Sequence, residues 1–158
     1  MAMRTGTPLP ELSGATEWIN GEIASQDLIG SPTLVHIWAV SCPICHDNMP
    51  KVTEWREQYR DQGLKVVAIH MPRQAEDTNL ESVRADAALL GISEPCAIDS
   101  DHTIGERFEN TLWPAYFVFD AEGNLRGRAA GYAGLKMIEV PLKRVLGIEI
   151  APVPTPIA

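Results

Sequence analysis

Cys42 and Cys45 stand three residues apart in Cys42-Pro43-Ile44-Cys45. On a helix, residues at that spacing share a face, and two cysteines in a first turn can reach disulfide geometry. The start of a helix carries unpaired N–H groups and the positive end of its dipole. A thiolate there is stabilised, so its pKa falls toward working pH. Pro43 suits an early helical position, because the N–H it lacks would be unpaired anyway. The expected chemistry is thiol–disulfide exchange. In this reading Cys42, nearer the helix tip and solvent, attacks a substrate disulfide. Cys45, one turn further in, resolves the mixed disulfide.

Rival chemistries use the same residues. Cys42-Pro43-Ile44-Cys45-His46 matches the c-type haem attachment pattern letter for letter. In that reading both sulfurs bind vinyl groups and His46 is an axial ligand. The surroundings oppose it, because the motif follows a strand-like run and the chain is rich in β signals. No metal site is predicted, since a second ligand pair is missing and Cys96, the third cysteine, is isolated. A static disulfide and a buried inert pair are the structural alternatives. Cys96 reads as a small buried apolar residue.

The elements that must position the pair follow from hydrophobic periodicity. Thr33 to Val40 (TLVHIWAV) is a nearly continuous apolar, β-branched run, which suits a strand buried on both faces. Cys42 to Tyr59 reads as a helix, with Met49, Val52, Trp55 and Tyr59 on one stripe. Leu64 to Met71 is a second buried strand. Thr78-Asn79-Leu80-Glu81 has capping-box spacing before a helical stripe that ends at Gly91. A short strand over Pro95 to Asp99 and a helical turn over His102 to Phe108 follow. Strands over Tyr116 to Asp120 and Leu125 to Ala130 form a closing hairpin, and a helix over Leu135 to Leu146 contains Pro141. Pro141 predicts a kink or a late start. Asn20-Gly21, between apolar residues, predicts a hairpin near the N-terminus.

The alternating first part implies right-handed βαβ crossovers, and the closing hairpin adds an antiparallel edge. The expected fold class is α/β, a mixed central sheet flanked by helices, with an N-terminal β-hairpin. Residues 1–150 are expected to form one domain. Residues 151–158, with Pro152, Pro154 and Pro156 alternating, read as a flexible Pro-rich tail.

The 158 residues carry a net charge of -8 and no basic cluster. That argues against nucleic acid and against an anionic membrane surface as partners. No apolar run approaches the ~18 residues of a transmembrane helix, and no signal-peptide pattern opens the chain. A cytoplasmic location and a monomer are expected.

Trp38-Ala39-Val40-Ser41-Cys42-Pro43-Ile44-Cys45, then Pro50, then Trp113-Pro114-Ala115-Tyr116-Phe117-Val118-Phe119-Asp120 and Gly123, resembles thioredoxin-like thiol–disulfide oxidoreductases. The subgroup looks like the TlpA/ResA type, with Arg73 to Glu94 as its mid-chain helical insertion. The whole pattern looks closest to the small cytoplasmic YkuV-type oxidoreductases of bacilli, over roughly Pro8 to Leu146. The resemblance implies the thioredoxin fold and no cofactor. It implies protein disulfide or dithiol substrates and a thiol reductase as partner. It implies that Pro114 is a cis-proline facing the cysteine pair, and that the Trp113 backbone is an edge where substrate pairs by β-augmentation. Trp38 matches the family's aromatic beside the active site, and Pro43-Ile44 is the dipeptide that tunes redox potential.

The chain departs from the family at specific positions. Classical thioredoxins have Gly-Pro where Pro43-Ile44 stands. The family's buried acid, six residues before the first cysteine, is His36 here. A buried His36 could relay the proton of Cys45 or be a satisfied core residue. ResA-type proteins have a Glu where Asn48 stands, and Ser41 replaces the aromatic that precedes the first cysteine of classical thioredoxins. Two alternatives remain: a peroxiredoxin-like thiol peroxidase using Cys42, disfavoured by Ala39 where a Thr is preferred, and a thioredoxin-fold binding or chaperone module.

Overall fold

The computed structural model describes residues 2–148. The expected tail at 151–158 lies outside the described residues. Six strands form one sheet: β1 (Glu17–Ile19), β2 (Thr33–Trp38), β3 (Lys65–His70), β4 (Cys96–Ile98), β5 (Ala115–Phe119) and β6 (Leu125–Ala130), in the order β1-β4-β3-β2-β5-β6. Among the described residues α1 (Pro43–Gln58), α2 (Leu80–Leu89) and α3 (Thr103–Arg107) connect strands, and α4 (Gly134–Val145) follows β6. β2, β3 and β4 are mutually parallel, as their helical crossovers require. β5 runs antiparallel to both β2 and β6, and β1 antiparallel to β4. This is the expected mixed α/β sheet.

β2 sits in the middle of the sheet and is buried at every position. Its side chains alternate between two cores, as a period of two demands. Leu34 and Trp38 join Met49, Val52 and Trp55 of α1, Val83 of α2 and Ile138 of α4. Val35 and Ile37 join Ile104 of α3, Phe108, and Leu12 and Leu28 of the N-terminal segment. Both cysteines therefore belong to the first core.

Three local expectations are corrected. Asn20 and Gly21 do adopt the positive φ of a tight turn, at 66° and 99°. Yet β1 pairs with β4, through Glu17↔Ile98 and Ile19↔Cys96, and no strand follows the turn, so the N-terminal β-hairpin is absent among the described residues. An isolated two-stranded ribbon is marginal in water, whereas the edge of an existing sheet already offers paired backbone and a buried face. The Asn20 amide fixes the turn instead, donating to the carbonyls of Ile92 at 2.9 Å and Glu94 at 3.0 Å. The second correction is the cap of α2. Asn79 accepts from the Ser82 N–H at 3.0 Å, one residue after the predicted position, while Thr78 donates to the Ala75 carbonyl and closes a 3-10 turn over Ala75–Thr78. Third, of the kink or late start expected at Pro141, the late start is not seen: α4 begins at Gly134 and runs through Pro141, where Gly127 of β6 leaves room for the ring.

Candidate functional site

β2 ends at Trp38, and Ala39-Val40-Ser41 turn the chain into α1. Cys42 is the N-cap of that helix, with extended backbone (φ -104°, ψ 101°), and Pro43 occupies the first turn. The Cys42 sulfur accepts from the Cys45 N–H at 3.1 Å, so it fills the role that a Ser or Asp oxygen takes at other helix starts. The Cys42 N–H donates to the Ala39 carbonyl at 3.1 Å. Cys42 and Cys45 are joined by a disulfide, with Cα atoms 5.3 Å apart.

The expectation that Cys42 is the more exposed sulfur is not met. Cys42 and Cys45 are each 1% exposed. Position, not exposure, separates them. Cys42 is carried by the loop and flanked by exposed Pro43 and by half-buried Ser41 and Ile44. Cys45 is carried by the helix and borders a gap too narrow for water, lined by His36, Met49, Pro114 and Tyr116 among others.

The Trp113–Pro114 peptide is cis, and Pro114 borders the same gap as Cys45. Its loop is tied down on both sides: the Trp113 indole donates to the Met71 carbonyl at 2.7 Å, and the Gly131 N–H donates to the Pro114 carbonyl at 2.9 Å. Asn48, one turn beyond Cys45, donates to the Tyr116 hydroxyl at 3.2 Å and so links α1 to β5. Trp38 is fully buried and meets the His70 ring edge-on, with centroids 4.7 Å apart. Of the residues singled out from sequence, Trp38, Cys45, Pro114 and His36 thus surround one gap.

His36 is 1% exposed and its Nε2 lies 2.5 Å from the Glu94 carboxylate. Glu94 also receives Arg56 at 2.6 Å. Burial pushes the Glu94 carboxyl up, but the hydrogen bond and charge of His36, with Arg56 beyond, outweigh it and hold the pKa at about 2. His36 therefore has a carboxylate partner on one side and the Cys45 gap on the other.

Spacing gave no sign of four further contacts. His70 of β3 accepts the Val40 N–H at 3.3 Å, and burial pulls its pKa down to about 4. Asp77 accepts the Ser41 N–H at 3.0 Å and the Ser41 hydroxyl at 2.7 Å. His46 pairs with Asp86 of α2 at 2.8 Å. The His36–Glu94 pair is the fourth. All four contacts cross between β2–α1 and either β3 or the segment after it, so no periodicity could join them. Cys96 lies in β4, fully buried, and burial pushes its thiol up to about 12.

The sheet order and a disulfide between an N-cap cysteine and the cysteine three residues on, beside a cis-proline, define a thioredoxin-fold thiol–disulfide oxidoreductase. Comparison with known proteins agrees. Residues 5–128 match the AhpC/TSA family, and the chain belongs to that family. It is 46% identical to the thiol-disulfide oxidoreductase YkuV of Bacillus subtilis (strain 168) over 145 residues, which cover 91% of this chain and 97% of that protein. It superimposes on the solution structure of a thioredoxin-like protein in the oxidised form with a TM-score of 0.84 at 45% identity, covering 93% of this chain and all of that one. A putative thiol:disulfide interchange protein DsbE from Chlorobium tepidum shares the fold, with a TM-score of 0.80 at 20% identity and coverage of 92% of this chain and 100% of that one.

Proposed function

We propose that the chain reduces protein disulfides, with Cys42 as the attacking sulfur and Cys45 as the resolving one. The observation that carries the assignment is the placement of Cys42 as the N-cap of α1, where its sulfur takes a backbone N–H, while Cys45 faces the interior gap. A Cys42 thiolate attacks a substrate disulfide. A bond forms between Cys42 and one substrate sulfur, and the other substrate sulfur leaves as a thiolate and takes a proton. The Cys45 thiolate then attacks Cys42. The Cys42–Cys45 disulfide forms, the mixed disulfide breaks, and the second substrate thiol departs. The substrate gains two electrons and two protons, and the protein is left in the oxidised form described above. A thiol reductase returns it to the dithiol.

His36 fits a proton relay for Cys45, since it borders the same gap and is backed by Glu94 and Arg56. Trp113 and Pro114 fit a substrate-facing edge, with exposed Leu112 next to them in sequence and exposed Tyr132 next to Gly131, which holds the Pro114 carbonyl. Trp38 supports the site from below by packing. Pro43 and Ile44 between the cysteines set the potential of the pair. The reducing direction goes with a cytoplasmic setting, where glutathione and thioredoxin keep accessible pairs reduced. Among the described residues no helix is long and apolar enough to cross a membrane. Residues 1–150 are taken to act as one domain and as a monomer.

Insulin reduction with dithiothreitol tests the activity, and trapping tests the roles. Cys45→Ser should accumulate mixed disulfides with protein substrates and Cys42→Ser should not. Equal trapping by both variants, or full turnover by Cys42→Ser, overturns the assignment.

A further inference from the structure

Asp77 sits in the 3-10 turn Ala75–Thr78, 36 residues from Ser41 in sequence. Its residue is 2% exposed, and its carboxylate receives four hydrogen bonds. Two come from its own turn, the N–H groups of Arg73 at 2.8 Å and Gln74 at 3.2 Å. A turn-capping carboxylate needs no more than these. The other two come from Ser41, through its N–H at 3.0 Å and its hydroxyl at 2.7 Å. Ser41 is joined directly to Cys42, so a buried anion from the insertion grips the residue that carries the attacking sulfur into the helix start.

Burial alone would push this carboxyl up. The Ser41 hydroxyl, then the three backbone N–H groups, more than offset burial and hold Asp77 below the ordinary carboxylate range. It is therefore ionised wherever the pair works. The other titratable groups around the loop are differently engaged. His70 of β3 is neutral and accepts from Val40. His46 of α1 faces Asp86 of α2. Behind Cys45 stand the His36–Glu94 pair and Tyr116. Asp77 is the anion hydrogen-bonded to the loop itself.

We propose that Asp77 is a positioning residue of the cysteine pair: through Ser41 it fixes Cys42 at the tip of α1, and its fixed negative charge disfavours the Cys42 thiolate and makes the dithiol a stronger reductant. This rests on Cys42 being the attacking sulfur. A like charge beside a thiolate destabilises the reduced form relative to the disulfide. When the dithiol closes to the disulfide, its two electrons pass to the substrate disulfide and its two protons to the departing thiols. The anion favours that direction.

The test equilibrates the full chain with glutathione buffers and follows the pH dependence of Cys42 alkylation. Asp77→Asn keeps the shape and removes the charge. It should make oxidation of the pair by glutathione disulfide at least about threefold less favourable, about 15 mV for a two-electron couple, and lower the Cys42 pKa. Ser41→Ala keeps the anion but strips a donor from it, so the Cys42 pKa should rise. Asp120→Asn removes a carboxylate from the β5–β6 turn, at the end of the sheet away from the cysteines, and should move neither quantity. A folded Asp77→Asn with wild-type potential and pKa overturns the proposal, as does an equal shift in Asp120→Asn. If Asp77→Asn does not fold, Ser41→Ala decides: an unchanged or lowered Cys42 pKa overturns it. Wild-type protein that does not exchange with glutathione at all, or that fails the trapping test, would instead sink the underlying reading of Cys42.

Discussion

Lowering the pH from 7 to 4 should destabilise the protein through one side chain, His70. Its ring is fully buried on β3, wedged edge-on against Trp38, and its Nε2 accepts the Val40 N–H. The other nitrogen, Nδ1, has no hydrogen-bond partner among the described residues. Burial therefore penalises the charged ring, and the attraction of Asp77 does not restore it, so the pKa drops from 6.5 to about 4. The unfolded chain takes up a proton on this histidine as the pH falls below 6.5, whereas the folded chain refuses it until about 4. The full contribution of the neutral ring is present above pH 6.5. It declines by about 1.4 kcal/mol per pH unit on the way down and is lost below about pH 4, a total of about 3 kcal/mol. Protonation also removes the acceptor that holds Val40, two residues ahead of Cys42, so the loop before the pair is released in the same pH window. The assay is urea denaturation at pH 7, 6, 5 and 4, on wild type and His70→Gln. His70→Gln should be less stable at pH 7 but lose about 3 kcal/mol less on acidification. Contributions common to the two proteins cancel in the comparison. Parallel stability curves for the two proteins would refute the reasoning.

Two further outcomes follow from buried contacts. Glu94→Gln leaves His36 and Arg56 facing a neutral amide, and should cost about 3–5 kcal/mol at pH 7. Because the folded carboxyl titrates at about 2 against an ordinary 4.5, its stabilisation is complete above pH 4.5 and fades as the pH falls toward 2. Guanidinium denaturation at pH 7 and pH 3 should therefore show the gap between variant and wild type closing in acid. In β6, a Cβ added at Gly127 would stand 2.5 Å from Cγ of Pro141 in α4. Gly127→Ala should cost about 1–3 kcal/mol in thermal denaturation, and Pro141→Ala in the same chain should recover part of it. Additive losses would show that the two do not touch.

Much of the scaffold was legible in the chain because its signals are local. The apolar run from Thr33 suited a strand buried on both faces, and β2 is one. Pro43 and the Cys42–Cys45 spacing marked a helix start that the structure places within one residue. Hydrophobic period, proline chemistry and residue spacing are properties of neighbours, and neighbours are what a sequence displays. Where local signals competed with the sheet, the sheet won. Asn20-Gly21 made its turn, yet β1 paired with β4, since an existing edge offers more paired backbone and more burial than a lone ribbon.

The site divides along the same line. The two cysteines and the proline between them came from adjacent residues, and Trp38 beside them came from resemblance. Pro114 came from resemblance, and its place beside Cys45 depends on β5 lying antiparallel to β2. The surroundings of the sulfurs came from folding alone. Ser41 meets Asp77, His36 meets Glu94 and Val40 meets His70 across 36, 58 and 30 residues of chain. None of these partners has a spacing or periodicity that marks it. The sequence determined that two sulfurs sit at a helix tip, because helix starts are written in a few consecutive residues. Only the tertiary structure decided that both sulfurs are covered and which charges surround them. Burial and electrostatics depend on distance in space, and folding is what brings the segment after β3 against the cysteine loop.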